Sequence, residues 1–152
     1  LIDSGTPDPV SAVSPSLALG YCFGRFGCHV AGDGCYGIAA RDYHLFGWTG
    51  TYYPNGIVPT STAVFPTPLF EVFVSFVALG LLLQWRRKSW PVGTLFFIYL
   101  IMNGVPRFFV EFIRLNPVTV IGLTQAQIIG LLFTVTGAIG IVLLWKRPEK
   151  QA

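Results

Sequence analysis

Apolar residues run through this chain in long charge-free blocks, separated by short polar knots. From Leu115 to Trp145 no charged side chain occurs, and after Gln127 the segment reads IIGLLFTVTGAIGIVLLW. Crossing a bilayer takes roughly 20 mostly apolar residues, so this block predicts a spanning helix from Gln127 to Trp145. Ser89 to Pro106 is likewise uncharged, and its apolar pattern continues past Arg107 to Ile113. It predicts a second span from about Val92 to Arg114. Leu69 to Trp85 predicts a third, preceded by Pro66 and Pro68 and with its N-terminus at the membrane surface. A fourth segment begins at Ser14-Pro15, an N-cap residue followed by proline at the first helical position, and ends near Gly32. Gly20, Gly24 and Gly27 weaken it, so it reads as the second half of a spanning or re-entrant helix. Arg41 to Phe65 is rich in Gly, Pro, Tyr and Thr and lacks helical periodicity. It predicts a loop folded on the membrane surface, too long for a simple connector. The expected fold class is all-α: a polytopic transmembrane helix bundle with three full spans, one partial or re-entrant helix and an outer-face loop region over 41–65.

Composition agrees with that class. Of 152 residues, 53% are hydrophobic and 11% charged, against roughly 25% charged in soluble domains, and mean hydropathy is +0.61. This balance excludes a disordered tail and a collagen-like repeat and argues against a water-soluble globule. A net charge of +3 in so apolar a chain does not point to nucleic acid. Cys22, Cys28 and Cys35 are too few for a fully paired disulfide framework and lack the paired CxxC spacing of a zinc site, so no metal and no cofactor are expected. The chain starts at Leu1 without the basic-then-apolar pattern of a signal peptide. Residues 1–152 therefore read as a single transmembrane domain, the C-terminal part of a longer chain. Basic residues set orientation: Arg86, Arg87 and Lys88 follow the third span, and Lys146, Arg147 and Lys150 follow the last. Two crossings separate the clusters, so both belong on the cytoplasmic side. Arg25 to Glu71 and the Arg107–Arg114 end of the second span then face the outer leaflet.

Three segments carry polar groups too costly in a membrane to be idle; an arginine at the centre of a spanning helix costs roughly 2.5–3.5 kcal/mol on insertion scales. Arg107, Glu111 and Arg114 stand at i, i+4 and i+7, one face of a helix, where Glu111 is placed to reach both arginines. That face is either an ion-paired seam between helices, a snorkelling pair at the interface, or a positive pocket for an anion such as a lipid phosphate. Gly24 to Gly37 holds five glycines in fourteen residues, with Arg25 and Asp33 among them. It is either a tightly packed helix end with an Arg–Asp pair or a backbone that lets a ligand approach closely. Phe65 to Glu71 places prolines at a helix entry and Glu71 in the expected first turn, where the helix dipole favours a carboxylate; Glu71 is also a candidate partner for the arginines.

In order, Gly24-Arg25-Phe26-Gly27-Cys28-His29-Val30-Ala31-Gly32-Asp33, Phe65-Pro66-Thr67-Pro68-Leu69-Phe70-Glu71, Arg107 to Arg114, and Ala126-Gln127 resemble the signatures of the prolipoprotein diacylglyceryl transferases of the bacterial inner membrane. The resemblance runs from about Pro15 to Trp145. It implies transfer of the diacylglyceryl group of phosphatidylglycerol to the lipobox cysteine thiol of a prolipoprotein, with release of glycerol phosphate, by a multi-pass protein whose active site faces the periplasm and whose C-terminus is cytoplasmic. The implied partners are phosphatidylglycerol, the prolipoprotein signal peptide and membrane lipids. Arg25 and Arg107 match the family's two key arginines, and Asp33 stands where the family often has Glu; these three are the candidate catalytic residues. Asp33 reads as a holder of an arginine rather than a base. Arg114, Glu111, Glu71, Gly32 and Gly27 are the candidate substrate-binding residues. The chain departs from the family pattern in several places. It lacks the His-Gly-Gly segment that the family carries upstream, and neither His29 nor His44 occupies it. Phe70 stands where Tyr is usual and Pro68 where Gln is usual, while Cys28 replaces Asn and reads as packing. A non-catalytic lipid-binding or scaffold subunit derived from the same fold is the alternative, and an anion channel fragment is a third reading. The Tyr-rich stretch from Tyr43 to Tyr53 fits either a lid or a partner surface.

Overall fold

A computed structural model describes residues 9–40, 50–88, 90–114, 116–119 and 122–146. They form four helices and no named strand: α1 Pro9–Ala31, α2 Thr67–Trp85, α3 Thr94–Val110 and α4 Gln125–Lys146. All-α architecture is therefore as expected. His44, Arg147, Lys150 and residues 41–49 of the expected loop lie outside the described residues.

The helix boundaries follow from local chemistry. Ahead of α4, Thr124 and Gln127 form a reciprocal cap: the Thr124 amide donates to Gln127 Oε1 at 2.9 Å, and the Gln127 amide donates to Thr124 Oγ1 at 3.2 Å. Two otherwise orphaned donors are thereby satisfied. α1 starts five residues before the expected N-cap. Pro9 takes the opening position and Pro15 lies inside the helix, so Ser14 is no cap. Ser11, Ser14, Pro15, Ala18 and Cys22 are the buried residues of α1, and their spacing of three or four makes one stripe. The helix runs 23 residues, about 35 Å at 1.5 Å per residue. α3 stops at Val110, short of the expected Arg114. Its last carbonyls are drawn out of the helix, because the Ile38 amide donates to the Ile113 oxygen at 2.9 Å and Gly37 bridges Arg114.

α3 packs most extensively on α4, and α1 on α2; α1 and α2 both touch α3, and α4 touches α3 alone among the described helices. Small residues set the α3–α4 distance. A Cβ at Gly104 would collide with the Gly130 carbonyl oxygen, and one at Gly137 would stand 2.6 Å from the Phe97 oxygen. Backbones in contact through small residues are how helices associate without a hydrophobic driving force between them.

Polarity is distributed inside out. Thr67, Glu71, Ser75, Glu111 and Gln127 are buried, whereas Phe23, Phe73, Leu132 and Trp145 are more than half exposed. α2 and α4 are long and apolar enough to cross a membrane, and α3 is apolar but shorter at 17 residues. At one end of the bundle the loops are stitched together. Gly37 donates to Phe65 O, Ala40 to Ala63 O, and Thr51 and Val64 bond each other reciprocally. Tyr36, Tyr53 and Val64 form a small apolar cluster beneath them. This cap closes over the ends of α1 and α3 and the start of α2, the place where the arginines gather.

Candidate anion site at the capped end

Arg25 lies six residues before the end of α1, Glu71 is the fifth residue of α2, and Arg107 sits in the last turn of α3. Their side chains meet. Glu71 Oε2 is 3.0 Å from Arg25 Nε and Glu71 Oε1 is 3.5 Å from Arg107 Nη1, with the carboxylate side chain only 3% exposed. Tyr21, one turn before Arg25, completes the junction. Its hydroxyl donates to Glu71 Oε1 at 2.7 Å and accepts from Arg25 Nε at 3.1 Å and Arg107 Nη1 at 3.0 Å. A buried carboxylate and a phenol thus hold two guanidinium groups from different helices side by side. Removing Glu71 would leave two part-buried like charges side by side without their carboxylate, which is costly.

A second pair sits alongside. Arg114 Nη1 is 3.6 Å from Glu111 Oε2, and Asn116 Nδ2 donates to Glu111 Oε1. Arg114 Nε is buried and meets no acceptor among the described residues; a donor of that kind calls for a ligand or water. All three arginines line one cavity of about 600 Å³, together with Cys35, Glu111, Asn116 and the segment Thr124–Ala126 at the start of α4. Three guanidinium groups against Glu71 and Glu111 leave the site cationic. Guanidinium binds phosphate through paired N–H donors, and fixed positive charge in a water-poor pocket stabilises negative charge developing on a leaving group.

The sequence candidates divide into those the fold brings together and those it does not. Arg25, Arg107, Arg114 and Glu111 line the cavity, and Glu71 stands behind it as the bridge. Three expectations need correcting. Among the described residues Glu111 pairs with Arg114 and not with Arg107, because α3 ends before Glu111 and Arg107 finds its carboxylate on α2. Glu71 lies beyond the first turn of α2, which begins at Thr67; the arginines and Tyr21 hold it, not the helix dipole. Asp33 forms no ion pair with an arginine among the described residues. Its Oδ1 instead accepts the Cys35 amide at 3.0 Å and fixes the turn after α1. Burial pushes the Asp33 carboxyl up, but hydrogen bonds from Cys28 and Cys35 and the charge of Arg25 outweigh it and hold the group below the usual carboxylate range. A carboxylate so shifted is a poor acceptor for a thiol proton.

Gly32 and Gly27 fall away from the cavity. Gly32 (φ 60°) ends α1 at a chain crossing, where a Cβ would stand 2.7 Å from Gly56 Cα. Gly27 is exposed on α1 with nothing within 4 Å of its missing Cβ. His29 turns into the cap, its Nδ1 2.6 Å from the Tyr53 hydroxyl. Sequence reasoning missed Tyr21, Cys35 and Asn116. Of these, only Tyr21 left a signal: four residues before Arg25, it shares that arginine's helix face.

Among the described residues the fold is all-helical, with apolar outer faces and a part-buried, doubly bridged arginine pair at the edge of a cavity, an arrangement that suits a membrane protein. The sequence comparisons narrow the class. A family model described as prolipoprotein diacylglyceryl transferase matches residues 8–143, and the chain belongs to that family. Among curated relatives, the phosphatidylglycerol–prolipoprotein diacylglyceryl transferase of Leptospira interrogans (strain Fiocruz L1-130) is 29% identical over 93% of this chain and 52% of its own length. Transferase 2 of the same name from Clostridium perfringens is 35% identical over 82% of this chain and 47% of its own, and the Clostridium novyi protein 30% over 89% and 52%. The chain thus spans about half the length of the curated relatives it matches. No solved structure matches it.

Proposed function

We propose that this chain is the part of a diacylglyceryl transferase that holds the phosphate end of phosphatidylglycerol while the diacylglyceryl group passes to the lipobox cysteine thiol of a prolipoprotein, the first step of bacterial lipoprotein maturation. The observation that carries this reading is the junction of Arg25 and Arg107 through Glu71 and Tyr21 at the edge of a cavity that Arg114 also lines. The lipid phosphate sits among the three guanidinium groups, with Arg114 Nε free to donate to it. As the thiolate attacks the glycerol carbon, the C–O bond to phosphate breaks and negative charge grows on the departing glycerol phosphate. Arg25 and Arg107 stabilise that charge; Glu71 and Tyr21 keep them aimed. Glu111 positions Arg114, and Asp33 shapes the turn beside Arg25.

Around this site we read three full spans, α2, α3 and α4, with α1 beside them, in the bacterial inner membrane. The capped end faces the outer leaflet and the loop leading into α2 belongs to the periplasmic surface. The basic residues after α2 and α4 lie in the cytoplasm. Membrane lipids cover the exposed apolar faces.

The test is transfer of labelled diacylglycerol from phosphatidylglycerol vesicles to a lipobox peptide. It uses this chain within its full reading frame, with Arg25→Ala and Arg107→Ala alongside. Each substitution is expected to lower transfer by about 100-fold or more, the usual scale for removing a donor that serves developing charge. Undiminished transfer in both would overturn the assignment. Phosphatidylglycerol binding without any transfer by the intact protein would instead favour the lipid-binding subunit.

A further inference from the structure

The reaction just proposed needs a thiolate, and among the described residues Glu111, the carboxylate lining the cavity, is already engaged by Arg114 and Asn116. The turn that follows α1 supplies another means. Cys28 lies in the last turn of α1 and Cys35 seven residues on. Gly32 (φ 60°) and Gly34 (φ 88°) fold the intervening chain back on itself. As a result one sulfur from each cysteine and one oxygen of Asp33 all lie within 4.8 Å of one another. The turn is fastened from outside. Thr67 Oγ1 at the start of α2 donates to the Cys35 oxygen at 2.6 Å, Val58 donates to the Gly32 oxygen at 2.8 Å, and the Cys35 amide holds Asp33 Oδ1.

We propose that Cys28, Asp33 and Cys35 bind one soft divalent cation, zinc by preference, and that the cavity on which Cys35 opens supplies its fourth position to the incoming thiol. Zinc bonds of about 2.3 Å to sulfur and about 2.0 Å to oxygen set tetrahedral ligands roughly 3.5 Å apart, so the existing cluster needs only to contract. Two thiolates and a carboxylate suit zinc over calcium or magnesium. Their excess negative charge is met by Arg25, whose Nη1 lies 4.0 Å from Cys35 Sγ, the kind of outer hydrogen bond that orients a metal ligand. The cation replaces the protons of the two thiols, and those protons go to water. A substrate thiol entering the open position loses its own proton in the same way. The sulfur lone pair then forms the C–S bond to the glycerol carbon while the C–O bond breaks, and the phosphate leaves with that electron pair. The spacing C-x4-D-x-C carries no paired CxxC, which is why the sequence alone suggests no metal.

This role for the cation rests on the transferase reading, but its test does not need turnover. The full chain, in detergent micelles prepared with reductant, is titrated with Co²⁺ and with Zn²⁺. Expected are thiolate-to-cobalt absorption saturating at about one equivalent, displacement of cobalt by zinc, and one tightly held zinc by elemental analysis. Cys35→Ser and Asp33→Asn should each weaken cobalt binding at least tenfold. Cys22→Ser, whose thiol bonds the Val72 carbonyl elsewhere on the α1–α2 interface, should bind as the parent does. Adding a lipobox peptide should strengthen the absorption, and its Cys→Ser analogue should not. No absorption, the same absorption in Cys28→Ser/Cys35→Ser, or a Cys28–Cys35 disulfide in protein prepared with zinc overturns the site. Cobalt binding that ignores the cysteine peptide overturns the thiol-receiving role. Transfer without a cobalt site refutes this inference alone, and a cobalt site without transfer refutes the transferase reading alone.

Discussion

At the scale of single residues, the unexpected member of the site is Tyr21. Its hydroxyl makes three hydrogen bonds, one given to Glu71 and two received from Arg25 and Arg107. Phenylalanine fits the same space and cancels all three, leaving buried polar groups short of partners at a cost of roughly 1–3 kcal/mol. Tyr21→Phe is expected to lower the transfer rate about ten- to a hundredfold, since each 1.4 kcal/mol is a factor of ten. An assay of kcat should register it, because the arginines lose alignment rather than presence. Asp33 supports a prediction of a different kind. Its carboxyl ionises more readily folded than unfolded, so the folded state gains from its charge at any pH above the ordinary value of about 3.9, and loses that gain as pH falls toward the lowered folded value. Thermal melts of the parent and Asp33→Asn, both in chelator, should differ by a constant margin between about pH 7 and pH 5 and converge below about pH 4. A margin that widens in acid would show the sign to be wrong.

At the scale of elements, the α3–α4 interface is the most demanding. Gly104 and Gly130 bring two backbones into contact, and a Cβ at Gly104 would also meet Thr134 Oγ1 at 2.6 Å. Gly80 on α2 has nothing within 4 Å of its missing Cβ. Gly104→Val is expected to destabilise by about 2 kcal/mol or more through overpacking, whereas Gly80→Ala should be neutral or slightly stabilising; melting temperatures in micelles decide. Equal effects would mean that close approach does not hold these helices. This contrast also shows what the sequence could convey. Apolar blocks predicted the existence and order of the helices, and Pro66 and Pro68 marked the entry to α2. Glycines that thin a helix and glycines that seat a neighbour look alike in sequence, so the pattern alone starts α1 at Ser14-Pro15 although it begins by Pro9. The end of α3 was hidden for a similar reason. Its last residues are recruited by the amide of Ile38, a contact 75 positions away along the chain that no local pattern encodes.

At the scale of the whole molecule, the candidate site was legible as a list of charges but not as a set of pairs. Arg25, Arg107, Glu71, Glu111 and Arg114 could be named because charge in an apolar chain is conspicuous. That Glu71 serves two arginines while Glu111 serves one depends on where three helices end, and that is a property of the fold. The same geometry makes orientation testable. Arg114 and Thr124–Ala126 line the cavity at the N-terminal end of α4, while Lys146 closes the other end of that 22-residue helix, about 33 Å away. The cavity and the C-terminal basic residues therefore cannot share a membrane face if α4 spans. With Arg86, Arg87 and Lys88 at the far end of α2 as well, the positive-inside bias favours the orientation proposed above, with the C-terminus in the cytoplasm and the cavity toward the outside. Fusing green fluorescent protein after Ala152, in the chain's full reading frame and a bacterial host, is expected to give fluorescence, whereas alkaline phosphatase at the same position should stay inactive. Replacing Arg86, Arg87 and Lys88 together with glutamine should shift part of the population toward the opposite readout. An active phosphatase and a dark fluorescent fusion would turn the molecule over and put the arginine cavity on the face where no exported thiol is presented.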